Sequence, residues 1–303
     1  MGGRGRKGRK EGVRVGVGRE RGGNSITKGP GFWNSTETPD TKYDNWVSLL
    51  LDDRSIADLS IPGTHQSVAN AGLVWSWCQS LSLEAQLSLG VRFFDIHLRH
   101  VDNNLPVYHA KVYQNSNLAD VLKPIIEFLN VHTFEVVVMR IKEEVMTKQD
   151  DDYETTYNRD VFCKAVNDEI QRFPKERFWF NGDIPSLGDA RGKIVLISDF
   201  YTDYPLGIPS SNLKVSDEWN VELGEKKWEI VRKHIKEVIA GSRNELCITF
   251  TSAKGGLASP GEIANVVNAK LHSFVCGKQE RFGIIAMDYP GPQLIRDIID
   301  SNF

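Results

Sequence analysis

Three short stretches carry side chains that can move protons. In Leu59-Ser60-Ile61-Pro62-Gly63-Thr64-His65-Gln66-Ser67, the apolar run from Ala57 to Ile61 reads as a short buried strand. Pro62-Gly63 should end it, because proline fixes φ and glycine tolerates almost any turn. The strand tip then presents an imidazole, His65. A second stretch, Phe94-Asp95-Ile96-His97-Leu98-Arg99, puts Asp95 and His97 on one strand face, with Arg99 about 6–7 Å further along it. The third is Val107-Tyr108-His109. Two imidazoles on one rim can take a proton from an attacking hydroxyl and return one to a leaving oxygen. A carboxylate such as Asp288 beside one of them would fix its tautomer and stabilise the imidazolium. Cationic groups near the reacting centre suit an anionic substrate, most simply a phosphodiester. The sequence holds no Gly-x-Ser-x-Gly, no Walker-type loop and no dinucleotide glycine fingerprint.

What must position these groups is an alternation of apolar strands and amphipathic helices beginning at Trp46. Strands are expected at 57–61, 91–97, 106–108, 135–141, 193–198, 214–217, 246–251 and 282–288. Helical spacing of apolar residues runs from Leu118 to Leu129, Val161 to Ile170, Trp228 to Val238 and Ile263 to Leu271. Continuous runs such as Ile194-Val195-Leu196-Ile197 suit a parallel sheet covered on both faces. Eight strands alternating with helices give an α/β fold, a (β/α)8 barrel of the TIM type, with a doubly wound sheet as the alternative. The interval Val101–Pro106 leaves no room for a helix, so the barrel must be irregular.

In such a barrel the chemistry sits at the C-terminal strand ends. His65 follows the first expected strand, Asp95 and His97 end the second, and His109 follows the third. Lys142 and Glu144 follow the fourth, Arg191 precedes the fifth, Asp217 and Trp219 end the sixth, and Asp288 ends the last. A closed sheet would put Asp288 next to His65.

Composition narrows the class. With 303 residues and 40% apolar content, the chain can bury a large core. Residues 1–31 hold nine Lys/Arg against two Glu and almost no apolar side chains, so a disordered basic tail is expected there, ahead of a catalytic barrel at 46–303. Its cations would favour anionic lipid or unspecific nucleic-acid contact; nothing points to a specific nucleic-acid partner. Cys78, Cys163, Cys247 and Cys276 show no paired short spacing, which argues against a structural zinc site and for reduced thiols. No apolar run reaches the roughly 18–20 residues of a membrane span, and no apolar segment follows the basic start as in a secretory signal. The expectation is an intracellular protein that meets membranes peripherally.

The motifs resemble those of a known family. Ile61-Pro62-Gly63-Thr64-His65-Gln66-Ser67, Gly90-Val91-Arg92-Phe93-Phe94-Asp95-Ile96 and Tyr108-His109 look like the X-domain of the phosphatidylinositol-specific phospholipases C, in its compact single-domain bacterial form. Val138 to Glu144, Asp189 to Leu196, Asp217-Glu218-Trp219, Ile248 to Ser252 and Met287-Asp288-Tyr289 continue the likeness in the family's order. The resemblance implies an irregular TIM barrel that cleaves phosphatidylinositol, its inositol 2-hydroxyl attacking phosphorus and releasing diacylglycerol. It implies His65 as general base oriented by Asp288, and His109 as general acid beside Asp95. Lys142, Arg191 and Asp217 would bind inositol hydroxyls, with Trp219 stacked on the ring. A lipid substrate implies contact with a phosphatidylinositol-containing membrane surface, to which Leu73, Trp75 and Trp77 would contribute. Whether those side chains insert or cap the barrel is left open by the sequence.

Two positions depart from the family. His97 stands where bacterial members have a phosphate-binding arginine and calcium-dependent relatives a carboxylate; Gln66 replaces an acidic residue. The expected remedy is a protonated His97 held against Asp95, assisted by Arg99, with no cofactor. The alternatives are a Ca2+ bound by Gln66, Asp95 and His97, or a protein that binds phosphoinositide headgroups without cleaving them.

Overall fold

A computed structural model describes residues 27–144, 159–256 and 258–303. Most of the expected basic tail, residues 1–26, lies outside the described residues. The packed part begins well before Trp46. A two-residue ladder joins β1 (Thr27–Lys28) to β2 (Trp33–Asn34), and Phe32 is buried against Tyr289 with ring centroids 5.6 Å apart.

The remaining strands are β3 (Ser60–Thr64), β4 (Phe93–Leu98), β5 (Pro106–His109), β6 (Val112–Asn117), β7 (Val137–Glu143), β8 (Phe178–Trp179), β9 (Ile194–Asp199), β10 (Ile208–Pro209), β11 (Lys214–Ser216), β12 (Cys247–Phe250) and β13 (Gly283–Met287). Eight of them form one curled parallel sheet in the order β10–β9–β7–β4–β3–β13–β12–β11. The helices α1 (Leu83–Ser88), α2 (Leu118–Val131), α3 (Arg159–Ile170), α4 (Leu187–Ala190), α5 (Gly224–Ala240), α6 (Pro260–Val275) and α7 (Pro292–Asp300) complete the α/β fold. Among the described residues no ladder joins β10 to β11; a 3-10 turn, Ser210–Asn212, connects them, so the barrel has an open seam. None of the described helices is long and apolar enough to cross a membrane.

Local sequence explains the main elements. The apolar stripe of α2 is buried from Leu118 through Leu129, and its first turn is closed by a reciprocal pair, Asn117 accepting from the helix and Asp120 accepting from the Asn117 N–H. Ser259 and Glu262 form the same box at α6, and Pro260 opens that helix where a missing N–H costs nothing.

Three expectations about strands fail for identifiable reasons. The first strand starts later than Ala57, because the Ser55 hydroxyl accepts from the Ala57 N–H and turns Ile56–Asp58 into a 3-10 helix. Pro62-Gly63 does not end the strand; both residues lie inside β3. The Pro62 carbonyl accepts from the Arg92 N–H on the β4 side, and pairing with β4 begins only at Gly63 opposite Phe93. The hydrogen-less nitrogen therefore forfeits no ladder bond. Gly63 is required by contact rather than by turn geometry: a Cβ there would sit 2.7 Å from Phe93 Cδ1. The third expected strand is not a barrel stave. β5 runs antiparallel to β4 and folds back on β6 as a hairpin, as the short Val101–Pro106 interval requires.

Candidate active site

The C-terminal strand ends surround a cleft of about 370 Å³ lined by His65, His97, His109, Lys142, Asp217 and Asp288, among others. His65 leaves β3 at its rim end. Its N–H donates to the Met287 carbonyl of β13, while Gln79 donates to the carbonyls of both His65 and Met287. The next turn is pinned by buried hydroxyls: Thr64 Oγ1 lies 2.8 Å from Ser67 Oγ and 2.8 Å from Gln86 Oε1, and Ser67 Oγ accepts from the Asp95 N–H. Gln66 sits at φ 44°, the left-handed region that a long side chain enters only when its surroundings hold it there.

Because β13 pairs with β3, Asp288 meets His65. Asp288 Oδ1 is 2.8 Å from His65 Nδ1, and the carboxylate is almost fully buried. Burial raises the Asp288 carboxyl above its usual range, with His65 opposing that shift. This contact fixes the Nδ1–H tautomer and leaves Nε2 with a lone pair, the state a general base needs.

His109 reaches the same cleft from the end of the β5–β6 hairpin. Its Nδ1 donates to the Ser76 carbonyl at 2.8 Å. The rings of His65 and His109 are 6.1 Å apart, centroid to centroid, edge to face at 87°. Burial pulls the His109 pKa down to about 4, with repulsion from His65 as a second cause.

Asp95 and His97 lie on one face of β4, as their spacing requires. Asp95 is buried; Oδ1 accepts from Arg140 Nη1 at 3.1 Å and Oδ2 lies 3.2 Å from His97 Nε2. Burial would raise the carboxyl, but His97 and Arg140 outweigh it and hold Asp95 well below the usual carboxylate range. His97 also contacts Glu144 Oε2 through Nδ1 at 2.6 Å. Its own burial opposes charge, yet the two carboxylates outweigh that and raise its pKa. Gln66 meets the same Nδ1 at 2.7 Å. Its amide can present either nitrogen or oxygen to the ring, and Glu144 already accepts at that ring nitrogen.

Lys142, opposite His97 in the register of β7 on β4, lines the cleft, as do Asp217 and Trp219 beyond β11. Two expected residues do not belong there. Arg191 precedes β9 and so stands at the opposite end of the barrel, where its guanidinium donates to the carbonyls of Val47, Leu50 and Phe134 and to Asp52. Arg99 has turned away from the reacting centre: its guanidinium packs 4.3 Å above the Tyr108 ring and donates to the Ala110 carbonyl, bracing the hairpin that carries His109. The expected exposed trio also splits. Leu73 and Trp75 are 76% and 49% exposed, whereas Trp77 is half-buried against the cluster of Phe32 and Tyr289.

The residues proposed for Ca2+ do not fit it. That ion takes six to eight oxygens. Gln66, Asp95 and His97 offer one amide, one carboxylate and an imidazole, and the carboxylate is already bonded to the Arg140 guanidinium.

Sequence reasoning missed several neighbours of the site. Arg140 bridges Asp95 to Asp199, whose other oxygen accepts from Ser210. Asp199 ends β9, so the rim rule itself points to it rather than to Arg191. Lys227 of α5 is wholly buried and donates to the Glu218 carbonyl at 2.8 Å, holding the Asp217–Trp219 loop. Nothing in the spacing of α5 distinguishes it from an ordinary exposed lysine.

Known proteins resemble this chain in sequence and in fold. The family model described as "Phosphatidylinositol-specific phospholipase C, X domain" matches residues 53–199. A curated 1-phosphatidylinositol phosphodiesterase from Listeria monocytogenes is 31% identical over 89% of this chain and 88% of its own length. The chain belongs to the phosphatidylinositol-specific phospholipase C family. Within that family, a 1-phosphatidylinositol phosphodiesterase of Staphylococcus aureus is 26% identical over 90% of this chain and 99% of its own. Among solved structures, the Listeria monocytogenes phosphatidylinositol-specific phospholipase C superposes with a TM-score of 0.74 at 27% identity, covering 87% of this chain and all of that one. A Staphylococcus aureus phosphatidylinositol-specific phospholipase C, from work on modulation of its membrane binding, gives 0.75 at 25% identity over 86% of this chain and 98% of that one. The irregular TIM-type barrel expected from the sequence is therefore shared with these structures.

Proposed function

We propose that this chain cleaves the phosphodiester of phosphatidylinositol, releasing diacylglycerol and an inositol cyclic phosphate. The observation that carries this reading is the pair of imidazoles facing one cleft 6.1 Å apart, each with its inner nitrogen bonded and its outer one available. His65 takes the proton of the inositol 2-hydroxyl as that oxygen attacks phosphorus, and Asp288 stabilises the imidazolium that forms. His109 gives a proton to the departing glycerol oxygen. In the free protein that ring is neutral, because burial and the other histidines disfavour its charge. A phosphate anion arriving between the rings reverses that electrostatic balance and lets His109 carry a proton.

His97 takes the place of the family's arginine. Its two ring nitrogens face Asp95 and Glu144, and the ring is among the residues lining the cleft. Lys142 and Asp217 bind inositol hydroxyls and Trp219 covers the ring. The Listeria and Staphylococcus relatives are named for the same phosphodiester, which supports the substrate class. No step in this scheme uses a metal.

The test is hydrolysis of phosphatidylinositol vesicles by purified protein with and without chelator. Turnover that survives chelation, and that falls ~10²–10⁴-fold in His65→Ala and in His109→Ala, is the expected result. Headgroup binding with no turnover would replace this reading with that of a binding protein.

A further inference from the structure

Cys78 has no part in the proton transfers above, yet it lies among them. One donor atom each from His65, Cys78 and Asp288 falls within 4.8 Å of the other two. The sulfur is also 3.7 Å from His109 Nδ1, and the residue lines the catalytic cleft. Asp288 bonds His65 through Oδ1, and the Cys78 thiol is the other side chain that bonds the buried carboxylate.

Sulfur, imidazole nitrogen and carboxylate oxygen are the donor types of a three-ligand zinc site with its fourth position open. Bond lengths of about 2.0–2.3 Å place such donors roughly 3.3–3.8 Å apart around a tetrahedral ion, so small side-chain rotations close the set. The three residues come from the turn after β3, the segment before α1 and the end of β13. No short cysteine spacing could have announced them. Lys227 and Lys254 lie near the cluster and repel cations in general. They leave an advantage to ions with strong sulfur affinity over Mg2+ or Ca2+.

We infer that His65, Cys78 and Asp288 form an inhibitory site for a thiophilic divalent cation such as Zn2+. The thiol proton passes to solvent as the metal–sulfur bond forms; the His65 proton, held on Nδ1 beside Asp288 in the free protein, moves to Nε2 as Nδ1 becomes the ligand, and Asp288 binds as carboxylate. The ion then occupies the groups that would activate the inositol hydroxyl. That inhibitory consequence rests on the role proposed for His65, whereas the metal binding does not.

The experiment uses the full chain carrying Cys276→Ser, which removes the exposed thiol. Titration with Co2+ should produce a sulfur-to-cobalt charge-transfer absorption saturating at about one equivalent, absent when Cys78→Ser is added. In the vesicle assay, buffered Zn2+ should suppress turnover reversibly. Cys78→Ser, normalised to its own zinc-free rate, should need at least about tenfold more Zn2+ for the same suppression. A cobalt complex without the sulfur band, the same band in Cys78→Ser, or equal zinc sensitivity of the two proteins would overturn the inference. If the parent protein shows no turnover, the cobalt spectrum decides alone.

Discussion

At the residue scale, the chemistry depends on giving neighbouring imidazoles different surroundings. His97 sits between two carboxylates that raise its pKa; His109 faces a carbonyl and a thiol, and burial lowers its own. The neutral state of free His109 has a measurable sign. Its depressed pKa, about 4 rather than the ordinary 6.5, means that the folded protein refuses a proton which the unfolded chain accepts between those values. In a titration followed by NMR, the His109 ring should therefore protonate only near the acid end, and saturation with inositol 1-phosphate should move its midpoint upward. A midpoint that stays put when the phosphate binds would remove His109 from contact with the anion. That His65, His109 and Asp288 share one rim was readable from residue type at strand ends. The surroundings of His97 were readable only in part, because its second carboxylate, Glu144, reaches it across a strand pair that spacing does not reveal.

At the element scale, the barrel holds these groups through contacts made at its far end. Arg92, at the foot of β4, is buried; it bonds Glu135 at 2.7 Å and the carbonyls of Leu87, Val91, Tyr43 and Asp44. Glu135 in turn accepts from the Ser48 N–H. Replacing Arg92 with methionine leaves a buried carboxylate without its cation and should destabilise the fold by about 3–5 kcal/mol in denaturant unfolding. A loss under about 1 kcal/mol would mean that the N-terminal segment is held by other contacts. Element order was legible from the sequence because strands such as Ile194–Asp199 are continuous apolar runs and helices such as α2 carry strict stripes. Orientation at strand ends was less so. Arg191 and Asp199 flank the same strand, and only the C-terminal one joins, through Arg140, the ion pairs around Asp95. β5 read as a stave because three residues of a hairpin and three of a barrel strand look alike before their partners are known.

At the scale of the whole molecule, the rim that holds the cleft also carries exposed Leu73 and Trp75 in the segment after His65. Indole and leucine at that rim suit the headgroup region of a bilayer, which would set the cleft against its lipid. Trp75→Ala should weaken co-sedimentation with phosphatidylinositol vesicles severalfold while leaving hydrolysis of a monomeric short-chain substrate unchanged. An equal fall in both assays would assign Trp75 to the barrel's packing instead. The division of labour between the two histidines allows a sharper test, with an inositol phosphodiester whose leaving group is an acidic phenol in place of glycerol. Such a leaving group needs no proton, so His109→Ala should recover most of wild-type turnover on it while His65→Ala remains ~10²–10⁴-fold down. Equal deficits for the two variants on both substrates would contradict the assignment of base to one ring and acid to the other.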